Sequence, residues 1–305
     1  MSKRVLHIIG NGFDLFHGIR SAYWNFKEFV ERNNKPLFEN LEKYFDSDSL
    51  WSDFEATLAD LDTETMVDEA MIYLPSYGAD DWSDSGHHDY QYELQNRIDI
   101  VTKDLKTEFT CWILQLEIPQ TAFDNRLGIK THELFLNFNY TNSLERIYHV
   151  DPSDIKYIHN KAIDTTSVLI LGHSRKPQGK SFNDNEDLES IDPRIYEGNQ
   201  ILDDYFIETY KPTAQIIAEN EAFFEDLKDI EEIHVLGHSI SIVDYSYFIR
   251  VLEKTDSNKV KWKISYYSDR DMANYQTAIS EIGISPANTE LIQISEFYTN
   301  QPKLF

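Results

Sequence analysis

Five short apolar runs in this sequence each end in polar residues that could do acid–base or nucleotide chemistry. Val5–Ile9 ends in Gly10-Asn11-Gly12 with Asp14 just beyond, and 133–138 ends in Asn139 with Thr141. Residues 155–158 end in His159, and 167–171 end in Gly172-His173-Ser174. The run 232–236 ends in Gly237-His238-Ser239, with Asp244 five residues on. Two glycines one residue apart let a chain turn sharply and bring backbone N–H groups against a ligand. The sixth position of the full dinucleotide fingerprint holds Leu15, so a phosphate-binding turn and a plain strand-to-helix turn both fit. Asp14 stands where an anion would approach, which suits it better to a ribose hydroxyl or a base. Imidazole titrates near neutrality, which makes each histidine a candidate general base as well as an ordinary core residue. Ser174 and Ser239 lack the G-x-S-x-G frame of a hydrolase nucleophile. Three histidines near one crevice could bind zinc, but no metal is expected. Gly237-His238-Ser239 followed by Asp244 reads as a cofactor contact from a glycine turn that also caps the next helix.

These groups need a scaffold that gathers strand ends. The runs are brief, apolar and bounded by glycine or polar residues, as in strands buried on both faces of a parallel sheet. Further strands are predicted at 260–267 and 290–294. Helices are predicted at 143–148, 213–228, 244–252 and 271–282. Strands alternating with helices predict an α/β, Rossmann-like, doubly wound and mainly parallel sheet. In such sheets ligands bind beyond the carboxyl ends of the strands, where Asn11, Asn139, His159 and His238 would meet.

Between 36 and 119 no strand interrupts a series of helical patterns. Leu94, Ile98, Val101, Leu105, Phe109, Trp112 and Leu116 step by three or four residues and need a helical partner. The expected organisation is therefore a sheet domain over 1–35 and 120–305 with a helical insertion over 36–119. Ser21 is a candidate N-cap for the helix over 22–30. In Trp51-Ser52-Asp53-Phe54-Glu55, Ser52 and Glu55 fit a capping box, because carboxylates two apart do not share a helix face. Residues 79–89, with His87, His88 and Asp89, read as a solvated acidic loop, and 175–199 as a polar loop.

Composition narrows the function classes. The chain has 305 residues, 28 basic against 53 acidic, for a net charge of −25. Such a surface repels phosphate backbones and anionic membranes, so nucleic-acid binding and membrane association are not expected. The single cysteine, Cys111, excludes an internal disulfide. The apolar run after Met1 is too short for a secretory signal, and no run approaches a membrane span. The expected location is cytoplasmic.

The sequence also resembles the AbiH family of bacteriophage abortive-infection proteins. The matching pieces are Gly10-Asn11-Gly12-Phe13-Asp14-Leu15 with His17-Gly18, then Tyr23 and Phe26, and then Trp51-Ser52-Asp53-Phe54-Glu55. Phe138-Asn139-Tyr140-Thr141-Asn142-Ser143-Leu144-Glu145 and Gly237-His238-Ser239 with Asp244-Tyr245 complete them. A more distant likeness is to sirtuin-like NAD-consuming domains of phage defence. Gly10-Asn11-Gly12, Gly18-Ile19-Arg20 and Phe138-Asn139-Tyr140-Thr141 are similar to their motifs, with Thr141 in place of an aspartate and Asn160 in place of the glycine after the histidine. This likeness implies Asn139 and His159 as catalytic residues. It also implies NAD, or a related nucleotide, as the ligand cleaved at the nicotinamide–ribose bond. Gly10, Asn11, Gly12, Asp14, Thr141, Gly237, His238, Ser239 and Asp244 are the expected nucleotide contacts. Two further readings compete: a nucleotide-sensing or partner-binding module without turnover, and a nuclease, against which the acidic balance counts. Self-association or a phage-derived trigger are the expected partners.

Overall fold

The computed structural model describes residues 4–78, 86–119, 127–177, 181–184 and 191–297. The chain divides into two units: 1–22, 113–170 and 212–305 form one, and 23–112 with 171–211 form the other. The first unit holds six strands, β1 (Val5–Ile9), β2 (Leu134–Asn137), β3 (Ile155–Tyr157), β4 (Glu232–Leu236), β5 (Lys261–Tyr266) and β6 (Thr289–Gln293). They lie in the order β3-β2-β1-β4-β5-β6, and every neighbouring pair is parallel. The expected α/β doubly wound fold is the fold observed.

The sheet runs apolar because both faces are covered. Leu6, Ile8, Leu136, Ile233, Val235, Trp262 and Ile264 face one core, filled from the helices Tyr245–Lys254 and Asp269–Ile282 by Phe248, Val251, Ala278 and Ile279. Alternate residues Ile9, Phe135 and Leu236 face a second core with Phe13, Leu144, Ile147 and Tyr148. The period of two sets this division, since neighbouring side chains on a strand point to opposite faces. The second face also carries a polar stretch, where the His7 ring meets the Glu133 carboxylate at 2.6 Å and lies edge-on to His234.

The expected strand over 167–171 does not form. Residues 168–172 join no ladder; Ile170 donates its N–H to the His159 carbonyl, and His173 makes an isolated bridge to Tyr210. The expected single helix over 213–228 is broken into Thr213–Glu219, Glu221–Glu225 and a 3-10 turn at Asp226–Asp229.

The second unit is helical. The helix Asp89–Asp99 continues through a π-helical stretch, Ile100–Asp104, into Leu105–Gln115. Its apolar stripe is buried: Leu94, Ile98, Val101, Leu105, Phe109 and Trp112 are nearly inaccessible. The rings of Phe26, Trp51, Phe54, Phe109 and Trp112 pack on one another. Polar residues start several of these helices: Asn34, Asp46, Asp62 and Asp192 each accept a backbone N–H from the first turn.

Two sequence expectations change here. The polar stretch 175–199 contains the first turns of a sixteen-residue helix, Pro193–Glu208. Asp192 as N-cap and Pro193 at the first position are its start signal. Arg194, Gly198, Leu202 and Tyr205 form its buried stripe, so the helical unit also takes 171–211, outside the expected 36–119. The Ser52–Glu55 capping box is absent. Ser52 donates back to the carbonyls of Asp48 and Ser49, and the Glu55 carboxylate pairs with the fully buried Lys211 ammonium. A buried ammonium needs such a partner, because an unpaired charge in the interior is prohibitively costly. Residues 79–85 of the expected acidic loop lie outside the described residues.

Candidate active site

Strand order reverses at β1, which lies between β2 and β4. In open α/β sheets such a reversal is the usual ligand position, beyond the carboxyl ends of the strands. Four of the expected polar groups leave the sheet at that end: Gly10-Asn11-Gly12 after β1, Asn139 after β2, His159 after β3 and His238 after β4. Gly172-His173-Ser174 belongs to the helical unit instead. Burial, with the Arg175 guanidinium nearby, holds the His173 imidazole down at about 4.

The glycines lock two turns together. Gly10 N–H donates to the Leu236 carbonyl at 3.1 Å, and Gly12 N–H to the Gly237 carbonyl at 2.7 Å. A Cβ on Gly10 would sit 2.5 Å from the His238 Cα, and one on Gly12 2.8 Å from the Gly237 oxygen. Close approach of backbone to backbone therefore requires these glycines whatever ligand comes. Phe13 N–H is also committed, to the Gly10 carbonyl. Asn11 reaches sideways, donating from Nδ2 to the Ser21 carbonyl and accepting the Ser21 hydroxyl at Oδ1. Ser21 thus anchors this loop through Asn11.

Asp14 is interior. Its two oxygens accept the Thr141 and Ser143 hydroxyls, each at 2.6 Å, with a further bond from the Asn139 amide. Burial pushes its carboxyl up to about 6, against the hydrogen bonds that favour the ionised form. Asn139 also donates from Nδ2 to the Gly10 carbonyl at 3.1 Å. Its backbone N–H donates to Oδ1 of Asn137, a polar residue within the core of β2. Asp14, Asn139, Thr141 and Ser143 thus form one buried network joining the β1 and β2 turns. The Thr141 hydroxyl, expected as a nucleotide contact, is bonded to Asp14 in this network.

The raised Asp14 carboxyl has a stability consequence. A group that holds its proton more tightly in the folded state favours folding where it is protonated. That contribution is lost as pH rises from about 4, the ordinary aspartate value, through about 6. Asp14→Asn removes the titration, so wild type should lose melting temperature relative to the variant between pH 4 and 7. Parallel melting curves across that range would show that Asp14 does not titrate in this window.

The second cluster is made of two histidines and one carboxylate. Asp244 Oδ1 lies 3.7 Å from Nε2 of His159, and Oδ2 lies 3.4 Å from Nε2 of His238. All three are buried. The Phe138 ring stands edge-on to both imidazoles, at 5.3 and 4.4 Å, and the Tyr247 ring lies 5.6 Å from His159. Backbone in the left-handed region holds both histidines. Asn160, next after His159, has φ +67°; Gly237 and Ile240, on either side of His238, have +64° and +51°. Asparagine tolerates that conformation better than most residues other than glycine. In a β-branched residue such as Ile240 it is a true outlier, and such strain gathers at functional sites. Ser239 is exposed.

Sequence reasoning missed Asn137, Phe138 and Ser143 as parts of the site. An asparagine within an otherwise apolar strand was the available signal for the first. Among the described residues no group of three metal-binding side chains is suited to hold an ion, and no helix is long and apolar enough to cross a membrane.

A search of curated proteins finds no match to the chain. A family model described as "Bacteriophage abortive infection AbiH" matches residues 6–266, from β1 to the end of β5, and so takes in both polar clusters. The chain belongs to the AbiH family, and that membership supports a role for it in bacteriophage abortive infection.

Proposed function

We propose that the chain acts in abortive infection by binding NAD, or a related nucleotide, at the carboxyl end of β1 and β4 and hydrolysing its nicotinamide–ribose bond. The observation that carries this reading is the convergence of His159 and His238 on Asp244, beside Asn139, at the point where strand order reverses. In the reaction the bond from the anomeric carbon to nicotinamide breaks and its electron pair leaves with the ring. The pyridinium departs as neutral nicotinamide, so the leaving group needs no proton. Water forms the new bond to an oxocarbenium-like carbon and must lose a proton. His159 takes that proton as general base. The Asn139 amide donates to Gly10 and Asp14, which leaves its Oδ1 to orient the water or a ribose hydroxyl. The glycine turns border the ligand and hold the two clusters in register. The reaction draws on the cytosolic nucleotide pool, and a phage-derived trigger or self-association would govern its onset.

Mass spectrometry of nucleotides before and after incubation with the purified protein tests this. The expected products are nicotinamide and ADP-ribose in equal amounts. NAD retained unchanged on the protein would replace turnover with a sensing module, and NAD neither bound nor consumed would overturn the reading.

A further inference from the structure

The helical unit exposes a group of large apolar side chains. Ile72 and Tyr92 are 77% and 70% exposed, and Met71, Tyr73 and Tyr77 are exposed as well. The elements that carry them are joined. The 3-10 turn Met71–Tyr73 follows directly on the helix Thr63–Ala70 and packs on the helix Asp89–Asp99, which carries Tyr92. The rings of Tyr77, His87, His88 and Tyr92 form an unbroken series, each within 6.2 Å of the next. Single exposed apolar residues are ordinary, whereas a group of them marks a surface that another molecule covers.

Charge decides what can sit there. The described residues of 60–99 hold eight carboxylates and one cation, Arg97. Arg97 is already paired, with Glu69 and Glu93. Glu64 and Asp68, four residues apart, put like charges on one face of the helix Thr63–Ala70, an arrangement that weakens a helix. Asp89 stands one turn before Tyr92. Neither Asp68 nor Asp89 has an ion-pair partner among the described residues. A second copy of a chain at −25 would bring the same sign to this surface, and like charges across an interface cost affinity. A basic partner meets the opposite sign. The Tyr77 ring already receives a cation of the fitting kind, with the Arg194 guanidinium 4.3 Å from its centroid.

We propose that the surface of Met71–Tyr73, Tyr77 and Tyr92 docks a basic, arginine-rich protein segment, with apolar and aromatic contacts at its centre and the Glu64, Asp68 and Asp89 carboxylates at its rim. An apolar, aromatic centre within a polar rim is the usual anatomy of a protein–protein interface. Arginine suits it better than lysine, because a guanidinium stacks flat on a tyrosine ring and pairs with a carboxylate at the same time. Proteins that bind nucleic acid carry such basic segments, so a phage protein of that class fits the trigger named in the proposed function. The inference rests on that reading for the source of the partner, and not for the surface.

Titration calorimetry of the full chain at physiological salt tests this, with a peptide of repeated Arg-Leu-Arg units as probe. It should form a saturable complex, tighter than that of a Lys-Leu-Lys peptide of the same length. Ile72→Ser combined with Tyr92→Ser leaves the net charge unchanged and should weaken the arginine peptide by about 10-fold or more. Both side chains are exposed, so the melting temperature should not move. Ile163→Ser combined with Val168→Ser is the matched control, since these residues of the other unit are similarly exposed, and it should bind as wild type does. Asp68→Asn with Asp89→Asn should slow association more than it speeds dissociation. Equal affinity in the two serine pairs, or for the two peptides, would mean diffuse attraction to an acidic chain and would overturn the proposal. So would the lack of any complex, or a dimer in sedimentation velocity that Ile72→Ser with Tyr92→Ser dissolves. None of these readouts involves NAD, so a failure of the hydrolase reading would leave them standing.

Discussion

Replacing His159 with alanine should cut nicotinamide release by about 10²–10⁴-fold, the range that a general base supplies. The reason is local. His159 is buried among Phe138, Tyr140 and Tyr247, with Asp244 3.7 Å from its Nε2. In the proposed reaction this imidazole takes the proton of the attacking water. His159→Gln keeps much of the side-chain volume and should lose a comparable factor, which separates lost chemistry from lost packing. Asn139→Ala should also lose activity and, unlike His159→Gln, should lower the melting temperature, because it withdraws donors from the Asp14 carboxylate and the Gly10 carbonyl. In cells, loss of phage protection should follow loss of NAD consumption during infection. Protection that survives both His159→Ala and Asn139→Ala, with cellular NAD unchanged, would rule out the hydrolase reading.

Gly237→Ala should destabilise the sheet unit by about 2–4 kcal/mol, the sum of about 1 for an alanine at positive φ and about 1–3 for overpacking. A Cβ there would lie 2.0 Å from the Phe13 nitrogen and 2.3 Å from the Gly12 carbonyl carbon, both backbone atoms that no rotamer change can move. For a domain of this size the melting temperature should fall by about 5–15 °C. Gly18→Ala is the matched control. Gly18 has φ +76° with nothing within 4 Å of an added Cβ, so it carries the conformational cost alone. A Gly237→Ala loss no larger than that of Gly18→Ala would show that the two turns are not locked as described. Gly12 meets the same turn, so Gly12→Val should act on stability before it acts on any ligand.

Much of the architecture can be read from the chain itself. The strands at 5–9 and 232–236, and the helix at 143–148, follow from local period and flanking turn residues, which depend on near neighbours alone. The strand-helix alternation that sets the doubly wound topology is equally local. Two misreadings also have local causes. Residues 167–171 have strand-like composition but find no partner to complete a ladder, and strand propensity without pairing does not make a strand. The helix Pro193–Glu208 is marked by Asp192 and Pro193, but its buried stripe includes Arg194 and Gly198, which an apolar pattern does not register.

The grouping of the site residues was in part a sequence result, since polar residues after parallel strands must leave the sheet at one end. What each does there was decided by tertiary structure. The Gly10-Asn11-Gly12 turn has the residue types of a phosphate loop, and only the approach of Gly237 and His238 shows that backbone packing already requires its glycines. Asp14 and Thr141, 127 residues apart, are each a plausible ligand contact until their side chains are seen bonded to each other. Glu55 likewise reads as part of a helix cap until burial pairs it with Lys211, 156 residues away. The sequence determined most of the elements and which end of the sheet carries the chemistry, because both follow from local periodicity and chain direction. Only the tertiary structure decided which polar group satisfies which, because a buried donor or acceptor must find a partner, and that partner is set by packing between distant segments.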